Sequence, residues 1–135
     1  VSTFLLEIVT PERKVYAEQA NMIVVKGVEG ELGILPNHIP LVTPLRIAPI
    51  TVKKRGSKDE VIAVNGGFME VRKDKVVILA ESAELPEQID IERAQKAKER
   101  AQSRLSQAKQ DHIDFKRAEL ALHRALNRID VSGKK

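Results

Sequence analysis

The chain changes character at "ELPEQ", residues 84–88. Pro86 is the last proline, and no glycine follows it until Gly133. Apart from Gly133 near the end, the two strongest chain-turning residues therefore stop at Pro86. The two parts must fold by different rules. The first has the makings of short segments joined by turns. The second has the composition of long helices.

In the first part the segments "FLLEIV" (4–9), "MIVVKG" (22–27), "LRIAPITVKK" (45–54), "VIAVNG" (61–66), "FMEVRK" (68–73) and "KVVILAE" (75–81) are short and β-branched. Turn signals separate them: Gly30, Gly33, Pro36–Asn37, Gly56–Ser57, Gly66–Gly67 and Lys73–Asp74. Even spacing of this kind predicts a β-sandwich or small barrel over 1–85 with an Ile, Val and Leu core. Beyond Pro86 the good helix formers Ala, Glu, Lys, Arg and Gln take over. The pattern predicts helices over about 91–106 and 113–130, with 106–112 as the connection. So short a link makes them antiparallel neighbours, a helical hairpin within 86–135. The tail "SGKK" is expected to fray. The fold class is α+β.

There are no cysteines, which excludes disulfides, thiolate catalysis and cysteine-based zinc sites. The opening lacks the charged start and apolar core of a signal peptide. No apolar run approaches the ~20 residues that cross a bilayer, so membrane association is expected only through a partner. Charge is unevenly divided. Residues 1–88 hold 11 Lys/Arg against 12 Asp/Glu, and residues 89–135 hold 12 against 7. The hairpin thus carries the whole basic excess and should prefer phosphates or acidic protein surfaces.

Helical geometry sorts the hairpin into faces. Ala94, Ala97, Ala101, Leu105 and Ala108 share one face of the first helix. Ala118, Ala121, Leu122, Ala125, Leu126 and Ile129 share one face of the second. These faces should meet closely while burying little. Beside them run two arginine stripes: Arg93, Arg100 and Arg104, and Arg117, Arg124 and Arg128. Folding about 109–111 brings Arg93 near Arg128 and Arg100 near Arg124. Facing arginines repel, so the edge calls for an anion, and a polyphosphate would take bidentate guanidinium bonds. The plainer alternative is a solvated face, paired with Glu99, Asp111, Asp114 or Glu119 or packed on a partner. Asp90 alone reads as a plain N-cap, and Arg93 three residues later excludes a Glu/Gln capping box.

Other chemistry is thin. "GVEGELG" (27–33) is neither a phosphate-binding loop nor a dinucleotide fingerprint. His38, His112 and His123 lack metal-ligand spacing, and no serine sits in a nucleophile elbow. Four aromatics, Phe4, Tyr16, Phe68 and Phe115, are too few for a nucleic-acid stacking platform.

Four blocks in order carry a resemblance: "GELGILPNHIP" (30–40), "VNGGFMEV" (64–71), "IDIERA" (89–94) and "DFKRAELALHRALNRI" (114–129). With the strands-then-hairpin layout, the chain resembles the epsilon subunit family of bacterial F-type ATP synthases along nearly its whole length. The resemblance implies an antiparallel sandwich of about ten strands and a non-catalytic rotor subunit. The sandwich would dock on the gamma subunit and the c-ring at the cytoplasmic face of the membrane, with Glu31 and His38 on the c-ring side. The hairpin would be compact in a permissive state. Extended against the catalytic alpha and beta subunits, it would inhibit ATP hydrolysis. "IDIERA" matches the family's nucleotide-binding signature. By position, Ile89, Asp90, Arg93 and Ala94 would hold adenine beside Glu84. Arg100, Arg124 and Arg128 would hold the phosphates of ATP as regulatory ligand. Magnesium is possible, though no ligand motif marks it. The alternative is an inhibitory subunit of the same complex without a nucleotide site. Asn37 and Asn65 depart from the family's usual Gly and Ser, and Asn tolerates a left-handed turn.

Overall fold

The computed structural model describes residues 2–107 and 112–134, the side chains of residues 112 and 113 apart. Eight strands come first: β1 (Phe4–Val9), β2 (Lys14–Ala20), β3 (Met22–Gly27), β4 (Gly30–Ile34), β5 (Leu41–Lys53), β6 (Glu60–Val71), β7 (Lys75–Ala80) and β8 (Ala83–Glu84). A 3-10 helix, Pro86–Gln88, leads into α1 (Ile91–Gln107) and α2 (His112–Ser132). The strands hydrogen-bond in the order β2-β1-β7-β6-β5-β3-β4, with β8 on β6. All pairings are antiparallel except β1 with β7. The two ends of this order, β2 and β4, bury side chains in one core with every strand between them. The sheet must therefore fold over on itself, along the long β5 and β6. Leu6, Ile8, Ile23, Val25, Ile50, Val52, Ile62, Val64, Met69 and Ile78 fill the interior.

The count of eight, against about ten expected, follows partly from how β6 bends. Gly66 and Gly67, read in sequence as a turn between two strands, lie inside one strand with φ of 85° and 134°. Gly67 stays paired to Leu45 on one side and Ala80 on the other. A Cβ there would sit 2.1 Å from the Leu79 carbonyl oxygen. Only glycine lets β6 pass this close, so the pair is a bend and not a turn. Three strands escaped the sequence reading: β2, β4 and the two-residue β8. β2 covers its residues irregularly, with no clean alternation. β4 contains the glycines taken as turn signals, and it pairs in full register with β3. Asn37 adopts the left-handed turn, with φ of 65°.

α1 and α2 meet through alanines. Ala94, Ala101, Ala118 and Ala125 are all buried. Ala108 lies outside the described residues, as does most of the expected connection. Leu126 is a correction: it is 42% exposed, and its neighbour Asn127 is buried in its place. The reason lies in the sheet. Asn127 Nδ2 donates to the Val64 carbonyl (3.2 Å) and to Asn65 Oδ1 (3.1 Å), while Asn65 Nδ2 donates to Ser82 Oγ (2.9 Å). Below this contact Val131 packs with Ile89 and Ala63. The tail is also more ordered than expected: Ser132 is buried and the Lys134 N–H bonds the Val131 carbonyl at 2.9 Å.

Glu7 of β1 is buried between Lys14 and Lys75 and ion-paired to both. Hydrogen bonds from Lys14, then Lys75, hold its carboxyl down to about 2. Its native pKa lies below the unfolded one, so its contribution is complete above about 4.5 and is lost as pH falls toward 2. Replacing Glu7 by Gln should flatten the acid limb of the urea midpoint against pH. Gly67→Ala should destabilise the sheet by more than about 3 kcal/mol in urea unfolding. Gly56→Ala, with a positive φ but open space around it, should lose only about 1 kcal/mol.

Candidate functional site

The turn that ends the sheet builds one wall of a cavity. The Leu85 N–H donates to Gln88 Oε1 (2.9 Å), and the Gln88 N–H donates to the Leu85 carbonyl (3.0 Å). This reciprocal closure fixes the path out of β8. Ile89 follows and turns its side chain into the small apolar cluster with Ala63 and Val131. Asp90 then caps α1. Its Oδ1 accepts the Arg93 N–H (3.0 Å), and its carbonyl accepts the Ala94 N–H (3.0 Å). With the start of α1 fixed, Arg93, Ala97 and Arg100 fall at i, i+4 and i+7 on one face.

That face lines a cavity of about 390 Å3 with Glu84, Gln88, Asp90, Ala94 and Arg128. Six of the eight expected nucleotide residues meet here: Glu84, Asp90, Arg93, Ala94, Arg100 and Arg128. They come from β8, from α1 and its cap residue, and from α2. Gln88 and Ala97 also line it and were not singled out in the sequence. Arg93 and Arg128 share the cavity, as the hairpin geometry suggested.

Two expected residues lie elsewhere. Ile89 is buried beneath the site and does not line it. Arg124 does not line the cavity that holds Arg100. It lines a cavity of about 560 Å3 toward the hairpin tip with Arg104 and Arg117, and also a cleft against the sheet. Four residues of helix advance it about 6 Å along α2 from Arg128, which carries it past the lower chamber. Glu31 is exposed on β4. His38 is half-buried, with Nδ1 2.7 Å from the Ile39 carbonyl oxygen, between the exposed Leu35 and Ile39.

The cavity's charges are unequal in freedom. Arg128 Nε donates to Glu84 Oε1 in a half-buried ion pair joining α2 to β8. Arg93 and Arg100 make no ion pair among the described residues. Asp90 uses one oxygen in the cap, which leaves the other available to a ligand. Guanidinium donors on one side and carboxylate acceptors on the other suit a polyphosphate carrying an amino-bearing ring. The volume lies within the range of small-molecule sites. Among the described residues no group of His, Cys, Asp or Glu is placed to hold a metal ion, and no helix is long and apolar enough to cross a membrane.

Residues 3–86 match the family model described as ATP synthase, Delta/Epsilon chain, beta-sandwich domain. Residues 87–133 match ATP synthase, Delta/Epsilon chain, long alpha-helix domain. A curated ATP synthase epsilon chain from Halalkalibacterium halodurans is 61% identical over 132 residues, covering 98% of each chain. The chain belongs to the ATP synthase epsilon family. A second epsilon chain, from Alkalihalophilus pseudofirmus, is 60% identical over 134 residues, covering 99% of this chain and all of that one. Among solved structures, a chain of the Euglena gracilis mitochondrial ATP synthase, OSCP/F1/c-ring, superposes with a TM-score of 0.77. It is 26% identical, over 91% of this chain and 77% of that one. A Tetrahymena thermophila mitochondrial ATP synthase central stalk chain shares the fold, with a TM-score of 0.52 at 17% identity over 97% and 94%.

The Glu84–Arg128 pair ties the epsilon hairpin to the sheet. Glu84→Gln and Arg128→Gln should each lower stability by about 1 kcal/mol. Their double-mutant cycle in urea should return a coupling of about 0.5–1 kcal/mol.

Proposed function

We propose that this chain is a non-catalytic stalk subunit of an F-type ATP synthase, and that its hairpin is closed by ATP. The family assignment supports the first part. The second rests on one observation: a single cavity gathers Asp90, Glu84 and three guanidinium groups from β8, from α1 and its cap residue, and from α2. In this reading the sandwich seats on the gamma subunit and the c-ring through the face holding Glu31 and His38. The protein then lies at the cytoplasmic face of the membrane without entering it.

Asp90 would accept a hydrogen bond from the exocyclic amine of adenine through the oxygen not used in capping. Ala94 and Ala97 offer side chains small enough for the ring to approach α1. Arg93 would hold the ring beside Asp90, and Arg100 and Arg128 would bind the phosphate oxygens bidentately. Arg124 joins them only if α2 shifts or the phosphates reach toward the tip. Magnesium would enter with the phosphates, held by them and by water. A ligand touching three segments favours the closed arrangement by mass action. At 100 times its dissociation constant it adds about 2.7 kcal/mol to the state that binds it. When ATP is scarce, the basic hairpin is released and seeks acidic surfaces on the alpha and beta subunits, where it blocks hydrolysis.

A second reading is an inhibitory subunit with no nucleotide site. It is favoured by the Glu84–Arg128 pair, which already satisfies one of the phosphate-binding arginines. Calorimetric titration of the isolated chain with ATP, with and without magnesium, separates the two. The nucleotide reading expects saturable binding that Asp90→Ala with Arg93→Ala abolishes while the sandwich still unfolds at its usual midpoint. Unchanged affinity in that double variant would remove the assignment.

A further inference from the structure

A cleft of about 760 Å3 between α2 and the sheet shares only Arg124 with the nucleotide reading. One wall is α2, with Lys116, Leu120 and Arg124. The other is formed by β5 and β6, with Arg46 and Phe68, and Val28 closes one end. Two properties coincide there. Phe68, Val28 and Leu120 are 55%, 45% and 37% exposed, an apolar surface left to water inside a concavity. Around it stand three cations against a single lining carboxylate, Glu81. Arg46 Nη2 donates to the Val28 carbonyl (2.9 Å), which holds this guanidinium at the edge of the apolar surface. Lys116 is paired with Glu119 at 3.1 Å but remains exposed, and Arg124 makes no ion pair among the described residues. An apolar floor with a cationic rim complements a ligand with an apolar body and an anionic head. The volume is that of a small-molecule site, which favours a small ligand over a protein segment.

We propose that this cleft binds a single-chain amphipathic anion, an acyl chain ending in phosphate or carboxylate, and that its occupancy holds α2 against the sheet. The chain lies on Phe68, Val28 and Leu120, and the head is taken by Arg46, Lys116 and Arg124. The cleft exists only while α2 is docked, because the helix is one of its walls. An occupant therefore adds its binding free energy to the docked state alone. This makes the cleft a second control point on the hairpin, chemically independent of the arginine cavity on the α1 side.

Calorimetric titration of the full chain with dodecyl phosphate, below its micellar concentration, tests the proposal. Inorganic phosphate serves as head-only probe and dodecyl maltoside as uncharged-chain probe. Dodecyl phosphate should bind saturably and roughly tenfold tighter than either. Phe68→Ser should weaken it roughly tenfold, and Arg46→Gln with Lys116→Gln about fivefold. These side chains are exposed, so unfolding midpoints should stay in place. Asp90→Ala with Arg93→Ala should leave dodecyl phosphate affinity unchanged, which separates this site from the nucleotide cavity. Binding that ignores both cleft variants, or that dodecyl maltoside matches, overturns the proposal. Phosphatidylglycerol vesicles supply the last arm. A chain that binds those vesicles and not monomeric dodecyl phosphate overturns the single-chain assignment.

Discussion

Helix α2 is held to the sheet by a buried amide pair. Asn127 reaches from the helix to Asn65 and to the Val64 carbonyl, and Asn65 in turn reaches Ser82. Each cavity described above has α2 in its lining, so each depends on this attachment. The contact is directional. Rotating α2 by one residue would strand these amides in an apolar surrounding at about 1–3 kcal/mol for each unsatisfied group. The helix is therefore placed in one register. Asn127 Oδ1 has no hydrogen-bond donor among the described residues.

The alanine seam makes the same point from the other side. Ala94, Ala101, Ala118 and Ala125 let the two backbones approach. Close approach is what puts Arg93 and Arg100 of α1 in one cavity with Arg128 of α2. Larger residues would bury more surface and push the guanidinium groups apart. The hairpin trades cohesion for proximity of charge. Its compact form then leans on the sheet through Asn127, Val131 and the Glu84–Arg128 pair.

The parts of this arrangement that could be read from sequence are those set by local chemistry. The helices announce themselves by composition and the lack of glycine. Asp90 announces itself as a cap, and the cap geometry is present. Helical angles were enough to place Arg93 with Arg128. What depends on the partner surface could not be read. Asn127 looks like any polar helix residue until Asn65 is seen across from it, so Leu126 was assigned the buried position. β4 was hidden by its own glycines, and the Gly66–Gly67 bend was hidden because a close backbone approach leaves the same letters as a turn. Arg124 lines a chamber other than the one that holds Arg100 and Arg128, a division between cavities that angle and level along the helices do not reveal.

The packing of Ile89 on Val131 and Ala63 has a consequence for any open form. Ile89 belongs to the link between sheet and hairpin and would stay behind if α2 swung away. Ala63 would stay as well, and with it the partly buried Val61. Departure of the helix would uncover a greasy scar at the hinge, next to a bare Val64 carbonyl. An opened molecule alone in solution would be sticky at this spot. Keeping α2 docked keeps this apolar spot covered.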